Sequence, residues 1–350
     1  MIRFFAALLL AGLIASVQPA EAAIPKNALG AVAVSPDGRT VLAAGDNRVL
    51  YVLDAAGLTV QKRVWLGINP LEIHYSADGG TFVLHDSKGA LRFYDSASLK
   101  LKTEVSGVEK VALAEQADVI FSIGRVRGRG EEARTPLRAY SMSTGRPVLD
   151  KTVNSALTGL GVDADARRIF AISKSIKSNE EMVQKPPSNL AGAARETFRM
   201  QNDGKVSQLL AFDVEGKELG RHTSWYSTTR QADLVPFGNI LRVITFSSFN
   251  VQFTLGSMES KLYQDKNSFN YGIGYSIKNK LLVTGGLANG TVTQLDTGEQ
   301  RGFRINRIGG WPEYFKGFAV AADGTIYGTT TAYRLVRISP DGAVKAVPVY

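Results

Sequence analysis

The chain has 350 residues, a net charge of +9 and no cysteine. The missing cysteine excludes disulfides, thiol chemistry, iron–sulfur clusters and cysteine-ligated metals, so stability must come from packing. The 41 basic and 32 acidic residues are spread along the chain, which fits a solvated basic surface or an acidic partner; no motif with nucleic-acid geometry accompanies them.

Residues 1–22 read as a signal peptide. Arg3 supplies the positive start, Phe4 to Val17 the apolar run, and Ala20-Glu21-Ala22 an A-x-A site that puts cleavage before Ala23. The run is short for a membrane span; the alternative is an uncleaved anchor. This predicts a periplasmic or secreted protein with no membrane span after cleavage. Residues 23–350 then form a single domain.

From Ala23 onward, apolar and β-branched runs of five to seven residues are broken by Gly, Asp, Asn and Pro, the pattern of successive strands. Two anchors recur. One is a tight turn, Ser35-Pro36-Asp37-Gly38, Ser76-Ala77-Asp78-Gly79 and Ala322-Asp323-Gly324, with looser copies between. The other closes a strand three along, as in Leu50-Tyr51-Val52-Leu53-Asp54 and Leu91-Arg92-Phe93-Tyr94-Asp95. Seven copies end at residues 54, 95, 141, 213, 255, 296 and 339, so the steps are 41, 46, 72, 42, 41 and 43 residues. One long step aside, this is the period of a four-stranded propeller blade. A lone four-stranded sheet cannot bury both faces, but radially packed sheets can. The predicted fold is all-β: a seven-bladed β-propeller of four-stranded antiparallel blades.

The stretch Trp65-Leu66-Gly67-Ile68-Asn69-Pro70, then Ile73-His74-Tyr75-Ser76-Ala77-Asp78-Gly79, also resembles the YVTN-type repeat, in which strand–Asp is followed by Gly-x-Asn-Pro and then strand–Ser-Pro-Asp-Gly. The likeness is good over about residues 30–95, fair over 270–342 and weak between. It points to the YVTN/WD40-like seven-bladed propellers, the quinoprotein amine dehydrogenase-like superfamily. That resemblance implies an architecture. Its members include interaction scaffolds, subunits of periplasmic redox enzymes and lactonase-like enzymes, so it does not imply one activity.

Two units depart from the period. The third carries a loop over 125–135, and the fourth an insertion over 174–205. In the latter, Ser178 and Glu181 match a capping box, and Ser188 to about Gln201 reads as a second short helix, so a small helical insertion is predicted in blade 4. With strands named A to D from the channel outward, both insertions fall between B and C. These loops share one face with the D–A connections between blades, and the A–B turns share the other. Elaborated loops on a rigid frame are where function concentrates.

The candidate binding residues follow from that placement. Arg125, Arg127, Arg129 and Arg134 sit in one loop, and arginine forks suit carboxylates or phosphates. Trp225, Tyr226, Arg230, Tyr271 and Trp311 lie in D–A connections, where aromatics with arginine make binding surfaces; Phe269, Tyr314, Lys266, Arg304 and Arg307 accompany them. Packing between blades is the competing role for each aromatic. The histidines are His74, His85 and His222. A turn at Ser76–Gly80 would pair Tyr75 with Thr81 and His74 with Phe82, leaving His85 opposite Leu71. His74 and His85 would then face opposite ways and share no ion. No metal, cofactor or catalytic motif is predicted. The features favour a non-catalytic periplasmic scaffold that binds a protein partner, acidic in character, through one face. The alternative is an enzyme or enzyme subunit: a lactonase-like hydrolase, or the propeller chain of a periplasmic dehydrogenase.

Overall fold

The computed structural model describes residues 28–349 apart from 166, 175, 178–184, 192–194, 196–197, 199–204, 225–231, 245–246 and 310–311. Strands β1 (Leu29–Val34), β2 (Thr40–Gly45), β3 (Val49–Asp54) and β4 (Val60–Trp65) form one sheet. A second holds β5 (Pro70–Tyr75), β6 (Thr81–Asp86), β7 (Ala90–Asp95) and β8 (Leu101–Ser106). A third holds β9 (Val108–Ala114), β10 (Val119–Gly124), β11 (Thr135–Ser141) and β12 (Pro147–Val153). Next come β13 (Leu157–Val162), β14 (Ile169–Ser173), β15 (Ile176–Lys177), β16 (Lys205–Phe212) and β17 (Glu218–Ser224). They share a nine-stranded curled sheet with β18 (Ala232–Phe237), β19 (Ile240–Ile244), β20 (Ser247–Thr254) and β21 (Ser260–Phe269). The last two sheets are β22 (Gly272–Ser276), β23 (Leu281–Gly285), β24 (Asn289–Gln294) and β25 (Gln300–Arg304), then β26 (Phe315–Val320), β27 (Ile326–Thr330), β28 (Arg334–Ile338) and β29 (Val344–Pro348).

The architecture is a β-propeller of four-stranded antiparallel blades. Where the repeat predicts seven separate blades, five are separate, and the remaining strands join in one sheet. They join because β13 pairs in parallel with β18, through Gly159↔Ala232 and Leu160↔Asp233.

Packing explains the sequence pattern. Blade faces bury against neighbouring blades, so the second strands are buried along their whole length, as in β6 and β23. Their near-continuous apolar character is that of a sheet covered on both sides. The outermost strands β4, β8 and β12 are largely exposed and polar. Leu42, Ala44 and Leu50 pack on Phe82, Leu84 and Tyr94 between the first two blades, with the Phe82 and Tyr94 rings stacked at 5.1 Å. Tyr51 and Leu53 meet Tyr327, Leu335 and Val349 where the last blade meets the first. Among the described residues both of these blades consist of consecutive strands, and they meet by packing.

The A–B turns are built alike. Ser35 Oγ donates to Asp37 at 2.6 Å, and Ser76 Oγ to Asp78 at 2.7 Å. Gly38 and Gly79 sit at φ of 71° and 73°, the left-handed region that a side chain resists. Both insertions do lie between second and third strands. The 125–134 segment folds back on itself through paired backbone bonds between Arg127 and Arg134 and one 3-10 turn, Gly130–Glu132. The predicted capping box at Ser178 and Glu181 lies outside the described residues. Of the second predicted helix, Ser188 to about Gln201, Arg195 and Phe198 are helical, and residues 192–194, 196–197 and 199–201 lie outside the described residues; Ile176–Lys177 pair with the start of β16.

Candidate functional site

Six inner strands, β1, β5, β9, β18, β22 and β26, line a central channel of about 660 Å³. Its walls carry ionisable groups that the strands bring together from distant parts of the chain. β5 contributes Glu72 and His74, β9 Lys110, β18 Asp233, β22 Tyr275 and β26 Lys316.

The histidines require a correction. Tyr75 pairs with Phe82 and His74 with Val83, one residue away from the predicted register, and the same unbroken register sets Glu72 opposite His85, with a bulge only beyond it at Leu71. The shift arises because Ser76 pairs with Thr81 to close the turn, which keeps both out of the loop. Moving a register by one residue exchanges faces. His74 and His85 therefore share a face, with Glu72 between them. Glu72 Oε2 lies 3.4 Å from His74 Nε2, and Oε1 lies 3.6 Å from His85 Nδ1.

Electrostatics favour charge on this group. Burial pushes the Glu72 carboxyl up, but His74, His85 and the nearby Lys110 outweigh it and hold Glu72 well below the usual carboxylate range. About a third of the side chain is exposed, toward the channel. His85 is 3% exposed. Burial opposes its charge, yet Glu72 and the Val108 carbonyl, 3.4 Å from Nε2, raise its pKa.

Next to this cluster, Lys110 Nζ contacts Asp233 Oδ1 at 2.5 Å. The pair links β9 to β18 with β13 packed between them. Burial would neutralise Lys110, but Asp233 and then Glu72 keep its pKa raised. Tyr275 faces the same charges, and burial first, then Asp233, Glu115 and Glu72, drive its phenol pKa upward.

One strut crosses the channel. Glu115, just beyond β9, accepts from Ser276 Oγ at 3.2 Å and from the Lys278 backbone N–H at 3.1 Å, on the far side of the ring. It sits at the A–B end. Around it, neighbouring turns are tied by Ala77 N–H to Asp118 (2.9 Å), Gln116 N–H to Ala164 (2.8 Å) and Asn279 to Ala321 (2.9 Å). Leu71, Tyr271 and Lys316 line the channel toward its other end, on the face that carries the B–C and D–A loops.

On that loop face, Arg125, Arg127 and Arg129 are exposed. Arg134 is half-buried and turns back, donating Nη1 to the Glu131 and Ala133 carbonyls at 2.9 and 3.0 Å. Tyr271 is at the channel mouth, its ring 4.5 Å from that of Tyr314. Arg304 and Arg307 are exposed. Trp225, Tyr226, Arg230 and Trp311 lie outside the described residues. His222 packs edge-on against Phe253 at 6.3 Å.

The sequence reading does not single out Glu72, Lys110, Glu115 or Asp233. The available signal is a charge inside an otherwise apolar inner strand, as in Pro70-Leu71-Glu72-Ile73 and Val108-Glu109-Lys110-Val111. Among the described residues, no group of three or more His, Asp or Glu could hold a metal. Glu72, His74 and His85 converge, but on each other. No family model matches the chain, and no curated protein matches it.

Proposed function

We propose that the chain is an exported, seven-bladed propeller of the YVTN/WD40-like kind, acting in the periplasm as a non-catalytic scaffold that binds a protein partner through its loop face. The blade number follows from treating β13–β17 and β18–β21 as two blades joined at their inner strands. One contrast carries the functional reading. Two charged groups of the channel wall are engaged within it, Glu72 by two histidines and Lys110 by Asp233. The rim hairpin instead presents Arg125, Arg127 and Arg129 to solvent without an ion pair among the described residues. Paired groups build a frame, whereas exposed arginines on an elaborated loop build a contact surface.

The test compares partners co-purified from the exporting cell's periplasm by the full chain and by two loop deletions, 126–133 and 178–203. The reading requires at least one partner to be lost with a deletion. Retention of every partner by both would end it.

A second reading, an enzyme or enzyme subunit, draws support from the channel alone. Its volume falls in the range of small-molecule sites, and it mixes carboxylates, imidazoles and a phenol. A turnover that disappears in E72Q, with partners unchanged, would favour it over the scaffold.

A further inference from the structure

The propeller sorts its charges between its two faces. The A–B turns carry Asp37, Asp78 and Asp323, and the C–D turns Asp54, Asp95 and Asp296. Each of these carboxylates accepts a backbone N–H of its own turn, as Asp78 from Gly80 (2.9 Å), Asp95 from Ser98 (2.8 Å) and Asp323 from Thr325 (2.8 Å). Turn chemistry therefore places acids on this face, repeat after repeat. The net charge of +9 must emerge elsewhere.

Part of it lies on exposed outer strands, as at Lys62, Arg63, Lys102 and Lys345, and part emerges on the loop face. Arg48 lies between β2 and β3, Lys88 between β6 and β7, Arg125, Arg127 and Arg129 between β10 and β11, and Arg307 between β25 and β26; all are exposed. Several acids of this face are already committed. Asp46 accepts from the Tyr333 hydroxyl and from Ala28 N–H (2.9 Å), Asp86 from Arg92 and the amides of Lys88 and Ala90, and Glu313 from Arg334. Exposed Glu131 and Glu132 offset part of the hairpin's charge but leave it cationic.

At the channel mouth inside these cations lie exposed Leu71, 40% accessible, and Tyr271, beside half-buried Lys316, while Ile308, exposed at 51%, neighbours Arg307 on the rim. Apolar and aromatic surface at the centre of a charged rim has the composition of a protein–protein interface, and Lys316 adds a further cation there. A recessed mouth suits a protruding chain better than a flat bilayer. Three arginines within five residues, rather than a charged track across the disc, suit a short run of carboxylates better than an extended polynucleotide.

We propose that the loop face receives an acidic segment of a protein partner, with Arg125, Arg127 and Arg129 as its anchor. This rests on the reading that the loop face is the binding face.

The test uses the full chain and a fluorescein-labelled peptide of ten glutamates, followed by anisotropy at about 25 and about 150 mM NaCl. R125E/R127E/R129E should bind at least about tenfold more weakly at low salt. The turn-face variant K100E/R146E/K217E makes the same change in net charge at exposed positions and should stay within about twofold. Raising the salt should shrink the difference. A single-stranded DNA twelve-mer and vesicles containing phosphatidylserine should bind less well than the peptide. Equal weakening in both variants would reduce the effect to net charge and overturn the proposal. Tighter, arginine-dependent binding of the DNA or of the vesicles would overturn it in favour of that class. Should the charge reversal impair folding, R125Q/R127Q/R129Q carries the same expectation. If the loop deletions lose a partner while the wild type ignores the peptide, the acidic partner is wrong and the scaffold stands. If the deletions keep every partner, the scaffold reading itself has failed.

Discussion

Glu72 stands opposite His85 across the β5–β6 pair, its Oε1 3.6 Å from a ring nitrogen whose partner nitrogen lies 3.4 Å from the Val108 carbonyl oxygen. Both neighbours of the ring are acceptors, so only the doubly protonated imidazolium satisfies both. At 3.6 Å the contact with Glu72 is ionic rather than a well-formed hydrogen bond. It joins the inner strand of one blade to the start of the next.

The pair predicts a pH dependence whose sign follows from the two shifts. His85 is raised, so its contribution is complete below its ordinary value of 6.5 and is lost as pH rises through the folded-state value. Glu72 is lowered, so its contribution is complete above its ordinary value of 4.5 and is lost as pH falls through the folded-state value. Both contribute fully only between those limits. His74, Lys110 and Asp233 face the same space; Lys110 opposes the His85 charge, and Asp233 offsets Lys110. Thermal melts should show H85Q losing most at mildly acidic pH, by a shift of at least ~2–4 °C, with the gap narrowing toward alkaline pH. A gap independent of pH would show that His85 is neutral in the fold.

Glu115 predicts the opposite behaviour for a carboxylate. Burial raises its pKa, only partly offset by the Lys278 N–H and the Ser276 hydroxyl. The charged form therefore costs folding free energy at neutral pH. Glutamine keeps an acceptor for both bonds without the charge. E115Q should melt higher than wild type at pH 7 and lose that advantage as pH falls through the folded-state pKa of Glu115. E115A, which removes the strut, should melt lower than E115Q at every pH.

The sequence makes the frame legible because a blade repeats. Asp-Gly turns and strand ends such as Asp54 and Asp95 recur at a nearly fixed spacing, and the spacing selects the architecture. The channel cluster is not legible in this way. Glu115 meets Ser276 and Lys278, and Lys110 meets Asp233, only because the ring brings remote inner strands together. The histidines failed for a smaller reason. Their faces depend on whether Ser76 and Thr81 pair at the turn, which sets the register through Glu72 and His85, and local composition does not specify it. The parallel pairing of β13 with β18 likewise joins elements that the repeat presents as separate.

A buried ion pair gives a third prediction. Arg334 and Glu313 are 8% and 1% exposed, and their fork is bidentate, Nε to Oε1 at 2.9 Å and Nη2 to Oε2 at 2.6 Å. Nη2 also donates to the Asn306 carbonyl at 2.6 Å. The pair thus pins the connection between β25 and β26 to the last blade. R334M should cost about 3–5 kcal/mol, because it leaves a buried carboxylate without its cation. The double variant R334M/E313L should recover much of that loss in denaturant melts. If the double variant were no better than the single one, the Asn306 contact rather than the ion pair would be the stabilising element.

The junction of β13 and β18 gives the last. Gly161 follows the paired Leu160, and a Cβ there would land on the Leu234 carbonyl oxygen and crowd the Leu234 Cβ at 2.6 Å. Backbone cannot yield as a flexible side-chain end can, so G161A must separate the two inner strands or distort them. A cost of about 1–3 kcal/mol is expected. Gly220, exposed in β17, would place a Cβ with nothing within 4 Å, and G220A should change stability by less than about 0.5 kcal/mol. Because Asp233 is paired with Leu160 beside this contact, G161A should also disturb the Lys110–Asp233 pair. Adding D233N should then cost less in the G161A background than in wild type, a coupling that a double-mutant cycle measures directly. Strict additivity would mean that the β13–β18 junction and the charged wall of the channel are independent, and that the close approach of these two strands does not shape the site.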